Sequence, residues 1–395
     1  MSLVDIGVNL FNPQFDEDRL NVIEESLANG VVGLIITGTD LEKSKKIYES
    51  VKELKGRFPF LYFTAGVHPH QARYFDPKRD SNRLRIMLTS DRCVALGECG
   101  LDFNRKFSTP EEQLVCFEEQ IKVAIITKRN MFIHERDAFE QVFELLQKYE
   151  KELSEAGVKV VIHCFTGNKT QVEQYLSLGF NVYIGITGFI CDEERNKELL
   201  EALPLIPPDR MMVETDAPFM KPFQVRDRRN APKHLGFVVQ KIADTLKVTF
   251  EAVADVTTQN AINFFNLTDL PKPTGFWVKP EPKPARSFGG DNSRGGYQGS
   301  GRGRGRGDGS YHSDRGGYQS SRGRGRGNHT WENQSHMKLD ARTKKIPNIG
   351  SMTDFPVLES NTSYYDESRT DGELNTASQS KPSGSFKGNW SSLFK

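Results

Sequence analysis

Four side chains of metal-ligating type stand far apart in the sequence. Glu98 lies in Gly97-Glu98-Cys99-Gly100-Leu101-Asp102, His134 in Ile133-His134-Glu135-Arg136-Asp137, His163 in Ile162-His163-Cys164-Phe165-Thr166-Gly167, and Asp216 in Glu214-Thr215-Asp216-Ala217-Pro218. Two imidazoles and two carboxylates form a mixed nitrogen–oxygen donor set, suited to Zn²⁺, Mn²⁺ or, with more oxygens, Mg²⁺. A divalent cation held this way lowers the pKa of bound water and neutralises charge on a phosphoryl or carbonyl oxygen. A neighbouring carboxylate can take the proton from that water. A lone histidine at the end of an apolar run is more often a satisfied polar residue than a ligand. Two of them in consecutive units, with acids in two further units, outweigh that reading. His68 and His70 flank Pro69 and are expected at the same mouth, with loop architecture as their competing role. Arg136 carries a planar fork suited to phosphate. Arg228 and Arg229 sit in a basic loop that could meet a nucleic-acid backbone, and a plain solvated loop is the alternative. Asp102 and Asp137 read as caps or supports. For Glu214, a structural ion pair and a site role are equally open.

These residues need elements that bring them to one place. Short β-branched runs are expected as strands at residues 3–8, 32–37, 61–67, 93–98, 131–134, 158–163, 181–186 and 211–214. Helices are expected between them, at 16–28, 40–54, 81–89, 109–127, 138–150, 169–178, 193–203 and 233–245, with an added helix at 250–265. Thr109, Pro110 and Glu112 give the fourth helix a near capping box. Eight strands, each followed by a helix, predict an α/β fold of the (β/α)8 TIM barrel type, a metallohydrolase architecture with its chemistry at the C-terminal strand ends. The alternative, an open doubly wound sheet, is weakened because no G-x-G-x-x-G follows the first strand.

The composition divides the chain. Of 395 residues, 36% are hydrophobic, low for a wholly globular protein. Residues 1–284 carry 36 Lys/Arg against 41 Asp/Glu, and the remainder carry 17 against 11, so the overall charge of +1 hides an acidic front and a basic back. The expected divisions are a barrel at 1–268, a Pro-rich linker at 269–286, an Arg/Gly-rich segment at 287–330 and a polar tail at 331–395. Disorder is expected from about residue 280 onward. The hexamer Arg-Gly-Arg-Gly-Arg-Gly occurs at 302–307 and again at 322–327, each time after a Gly-Gly-Tyr-Gln. Such RGG-like sequence suits RNA or single-stranded nucleic acid, since guanidinium groups pair with phosphates and stack on bases. The apolar island Phe355, Pro356, Val357 and Leu358 is a candidate docking peptide for another protein. No run of 18 apolar residues is present and the N-terminus lacks a basic region, so a membrane or secreted protein is not expected. Five cysteines without a C-x-x-C spacing read as reduced thiols of a cytoplasmic or nuclear protein.

From Val4 to about Leu267 the sequence resembles the TatD family of metal-dependent deoxyribonucleases. The resemblance rests on Asp5-Ile6-Gly7-Val8-Asn9-Leu10, on the Thr64–His70 stretch Thr-Ala-Gly-Val-His-Pro-His, on Gly97 through Asn104, on His163 to Gly167, on Ile184 to Gly188 and on Glu214 to Pro218. It implies a TIM-barrel nuclease, often a 3′–5′ exonuclease, acting on DNA, with RNA as a second candidate substrate. It places the metal ligands at Glu98, His134, His163 and Asp216, with Glu98 and Asp216 catalytic. It implies one or two divalent ions, with Mg²⁺ preferred over Mn²⁺ or Zn²⁺. Many relatives end the first strand with a His-x-His pair that holds a second metal. Here Gly7 and Asn9 stand in its place, which leaves Asn9 as a neutral contact to a weakly held second ion or to substrate. Two other functions fit the same barrel: hydrolysis of another ester or amide, such as deacylation of aminoacyl-tRNA, and an RNA-binding scaffold with an inactive barrel.

Overall fold

The computed structural model describes residues 1–280; the RGG-like segment, the polar tail and the Phe355 island lie outside them. Eight parallel strands form one sheet in sequence order: β1 (Leu3–Val8), β2 (Val31–Ile36), β3 (Leu61–Ala65), β4 (Cys93–Asp102), β5 (Met131–Arg136), β6 (Val160–Ile162), β7 (Val182–Ile186) and β8 (Met211–Val213). The ends of the sheet meet at a parallel bridge between Val8 and Ala217. Asn9 N–H donates to Ala217 O and Asp216 N–H to Gly7 O, each at 2.8 Å. The sheet is thus a nearly closed TIM barrel, not the open doubly wound alternative.

The helices on the outside are α1 (Arg19–Ala28), α2 (Leu41–Leu54), α3 (Pro77–Met87), α4 (Pro110–Thr127), α5 (Phe139–Lys148), α6 (Glu150–Ala156), α7 (Lys169–Ser177), α8 (Lys197–Ala202), α9 (Leu235–Leu246) and α10 (Phe250–Phe265). Local chemistry sets their starts. Thr109 and Glu112 complete the capping box of α4, and Asp76 caps α3 ahead of Pro77. The Asp76-Pro77 signal starts α3 four residues earlier than expected. The helix expected at 138–150 breaks at Tyr149 and resumes as α6.

Alternation fills the barrel. Val4, Ile6, Ile35, Tyr62, Val94, Phe132, Val161, Tyr183 and Met212 form one buried cluster, and Ala261, Phe264 and Phe265 of α10 close it from the N-terminal side. Each large apolar side chain buried there contributes about 1.5–3 kcal/mol. The helix added after the eighth unit is therefore the floor of the barrel. It leaves only the C-terminal strand ends open.

The described part of the expected linker is laid against this body. Thr268 and Asp269 N–H groups donate to Tyr62 Oη at 3.3 and 3.0 Å, and Asp269 pairs with Arg92 at 2.5 Å. Trp277 packs on Phe237 and stacks on Phe250, with ring centroids 5.3 Å apart in each case. A Cβ on Gly236 would come within 2.1 Å of the Trp277 ring, so the glycine makes the indole's seat. The barrel unit therefore runs past residue 268. The prolines supply extended backbone here, and that backbone is used as a strap.

Candidate active site

Strand periodicity aims the key side chains. Phe132 and His134, Val161 and His163, and Met212 and Glu214 are pairs two residues apart. Side chains so spaced share a face of the sheet. The inner residue of each pair belongs to the filled interior, so the outer one faces the open rim. β4 reaches the rim by running closer to its neighbour than a side chain would permit. A Cβ on Gly100, at φ +128°, would sit 2.0 Å from His134 O.

Three imidazole nitrogens converge on one oxygen of Glu98. His163 Nε2 is 2.8 Å from Glu98 Oε1, His134 Nδ1 is 3.0 Å away and His68 Nε2 is 3.4 Å away. Glu98 is 6% exposed and His163 4%. Burial pushes the Glu98 carboxyl up, but the three imidazoles that face it outweigh that and hold it well below the usual carboxylate range. Burial pulls His163 down, but Glu214 and Glu98 raise it well above its ordinary value. His134 is raised too, against its burial, by the Asp102 and Glu98 carboxylates that face its two nitrogens.

Each histidine also has a second partner, and that partner fixes what its free nitrogen can do. His163 Nδ1 lies 3.4 Å from Glu214 Oε2. Nε2 donates to Glu98; with Nδ1 keeping its proton for Glu214, Nε2 is the nitrogen that would give up its proton to a cation, the arrangement of a supported metal ligand. His134 lies between Glu98 and Asp102 Oδ2, 3.4 Å from its Nε2, yet that buried nitrogen makes no well-formed hydrogen bond. His68 differs. Its Nδ1 accepts from His70 N–H at 3.0 Å, so the ring's proton belongs on Nε2, where it faces Glu98. Burial lowers His68 to about 3, which keeps it neutral with that single proton. By position alone, His68, Glu98 and His134 form a group whose ligand atoms lie within 4.8 Å of one another. By tautomer, His163 suits a cation better than His68, which is a hydrogen-bond donor.

Asp216 is half-buried at the barrel seam. Its Oδ1 accepts from Asn9 Nδ2 at 2.8 Å, so Asn9 acts on it as a donor. Burial raises the Asp216 carboxyl to about 7, against the lowering charge of His163. Behind it, fully buried Asp5 accepts from Thr215 N–H at 2.8 Å and from Thr215 Oγ1 at 2.5 Å. That contact pins the residue between Glu214 and Asp216. Asp5 lies inside a buried apolar strand, and its spacing alone does not mark this role.

The residues expected around this centre divide into three groups. Asp102 is a buried hub: it meets His70 Nε2 at 2.7 Å, accepts from Asn104 and Arg105 N–H at 3.1 and 3.0 Å, and takes Arg136 Nε at 3.1 Å. Arg136 is therefore turned onto Asp102, with about a third of its side chain exposed. Arg229 is engaged by the segment that follows β1. It pairs with Asp18 at 2.6 Å and lies over the Phe15 ring, so its guanidinium already has partners within the protein. Arg228 stays exposed. Glu214 is resolved as an inward, fully buried support of His163 that also receives Cys164 N–H. Its parity with Met212 was the available signal. A Cβ on Gly7 would lie 2.3 Å from Glu214 Oε2, so this carboxylate fills the space beside the first strand.

The donors present fit a divalent cation. Two imidazoles, each with a carboxylate on its far side, meet a buried anionic carboxylate, and a half-buried aspartate lies alongside. A barrel with that rim falls in the hydrolase class of TIM barrels. Residues 4–266 match the family described as TatD related DNase. The 3′-5′ ssDNA/RNA exonuclease TatD of Rahnella sp. (strain Y9602) is 40% identical over 270 residues, 67% of this chain and 99% of that protein. The protein of the same description in Escherichia coli (strain K12) is 41% identical over 245 residues, 61% of this chain and 90% of its own length. Among solved structures, a TatD-family hydrolase from Entamoeba histolytica superposes with a TM-score of 0.58 at 26% identity, covering 67% of this chain and 98% of that one. The chain belongs to the TatD family, whose members are metal-dependent hydrolases of nucleic-acid phosphodiester bonds.

Proposed function

We propose that this chain is a divalent-cation-dependent 3′–5′ exonuclease on single-stranded DNA and RNA. The convergence of His134 and His163 on Glu98 carries the reading, supported by relatives named for that activity. Glu98, His134, His163 and Asp216 would hold the cation, with Mg²⁺ preferred and Mn²⁺ or Zn²⁺ as alternatives. When bound, it supplies charge neutralisation at the phosphoryl group and a lowered pKa for water.

The chain's own groups do the rest. Asp216 is placed to take a proton from water, and Asn9 fixes the direction of its free oxygen. His68 keeps Nε2–H toward Glu98 and restrains that carboxylate. Glu214 and Asp102 orient His163 and His134. Arg136 and His70, both tied to Asp102, present their free edges to the substrate phosphate. Arg228 meets the incoming backbone. The 287–330 segment, outside the described residues, binds nucleic acid through its arginines and raises local substrate concentration.

End-labelled single- and double-stranded DNA and RNA, assayed with each metal in turn, test the reading. Asp216→Asn and His134→Ala should each lower turnover at least ~100-fold with circular dichroism unchanged. Activity within a few-fold of the parent protein would overturn it.

A further inference from the structure

A run of rings leads outward from the buried centre. Consecutive centroid separations are 5.7 Å for His163–His134, 4.7 Å for His134–His68, 4.3 Å for His68–His70 and 4.8 Å for His70–Phe107. The run ends in solvent, since Phe107 is 51% exposed. A single exposed phenylalanine is ordinary on a protein surface. This one is held out by its surroundings. Asn104 and Arg105 N–H groups are bound to Asp102, Phe107 N–H donates to Arg105 O at 3.0 Å, and Ser108 Oγ accepts from Arg73 N–H at 3.1 Å. Ser108 O also accepts from Gln113 Nε2 at 3.0 Å. Both ends of the loop are anchored, so the ring is presented and not folded inward. The ring beneath it, His70, is fixed by its 2.7 Å contact with Asp102.

The charge around Phe107 has the matching sign. Arg73, Arg105 and Lys106 are exposed, and none forms an ion pair among the described residues. A barrel unit with an acidic excess thus places three cations without an ion-pair partner among the described residues beside an exposed ring in contact with the site's imidazoles; Arg73 also lies over the Tyr74 ring, 6.0 Å from its centroid. Interleaved cations and rings of this kind are how proteins hold single strands without reading sequence. Phe219 and Phe223 are also exposed, but no ring contact among the described residues joins them to the centre.

We infer that Phe107, backed by His70, is the stacking platform for the base of the nucleotide being removed, with Arg73, Arg105 and Lys106 holding the adjoining phosphates. The inference rests on the nuclease reading above and adds the subsite that seats the base. It makes removal dependent on a free, unpaired base, because a base within a duplex offers no open face.

The test uses the full-length chain and two otherwise identical single-stranded oligonucleotides, one ending in a normal 3′ nucleotide and one ending in an abasic residue. Phe107→Ala should raise KM on the normal substrate about tenfold, the scale of base–aromatic stacking, with kcat held within about twofold. On the abasic-ended substrate, parent and Phe107→Ala should be alike. Phe107→Trp should restore KM, and its added indole emission should be quenched by the normal oligonucleotide and not by the abasic one. An unchanged KM for Phe107→Ala, or an equal loss on both substrates, overturns the platform. If the parent cleaves neither oligonucleotide, the nuclease reading fails. The quenching comparison then still decides the stacking, because it needs no turnover.

Discussion

Glu98 Oε1 meets three imidazole nitrogens, and the partner on the far side of each ring gives the three histidines different work. Glu214 is the partner that matters most for His163. Glu214→Gln keeps the shape but removes the charge that raises His163, and cation affinity should fall about 10- to 100-fold, read by isothermal titration with Mn²⁺. Equal affinity in the two proteins would show that the support is dispensable. His68→Gln, which keeps a donor near Glu98, should be far milder than His163→Gln in the same titration. A similar loss in both would contradict the tautomer argument. Gly7 belongs to the same arrangement. A side chain there would have to shift the end of Glu214, so a histidine on the first strand would disturb the carboxylate that supports His163.

At the scale of elements, the start of α3 shows how local electrostatics enter stability. Asp80 is nearly buried, takes Arg79 Nε and Nη2 at 2.8 Å and accepts from Asp76 N–H at 2.9 Å. Burial pushes its carboxyl up, but Arg79 and the backbone donor outweigh that and leave it lowered. A lowered folded-state value gives stability that is fully present above the unfolded value of about 3.9 and is lost as pH falls through the folded one. Asp80→Asn should therefore cost about 1–2 kcal/mol at neutral pH, and the difference from the parent should shrink in acid urea melts. A pH-independent gap would refute this account. Much of this architecture was legible. The eight strands and their order followed from β-branched runs alternating with amphipathic stretches, and Glu98, His134, His163 and Asp216 stand out because each lies at or just past the end of such a run. The α5–α6 break was hidden, since Tyr149 and Glu150 carry no breaker. The inward turn of Glu214 was readable from its spacing to Met212. The His68 tautomer and the Asp102 hub were not, because both depend on contacts between loops that sequence spacing does not bring together.

For the whole molecule, charge and chain path matter more than any one contact. The acidic excess of residues 1–284 disfavours polyanions at long range, and the later segment carries the opposite excess. Deleting residues 285–395 should weaken single-strand binding and flatten its salt dependence while kcat stays within a few-fold; an unchanged salt slope would remove any role for the arginines in affinity. The strap bears on where such a deletion is made. Gly236→Ala should destabilise the barrel by about 1–3 kcal/mol through overpacking against Trp277, and adding Trp277→Ala should recover part of the loss, a non-additivity expected of touching residues and read from urea midpoints. No helix among the described residues is long and apolar enough to cross a membrane. A shortened protein ending at residue 268 would lose the indole from its seat and leave Arg92 without Asp269. Domain boundaries drawn from composition would therefore yield a weakened enzyme, and a loss of activity in it would be mistaken for a catalytic contribution of the tail.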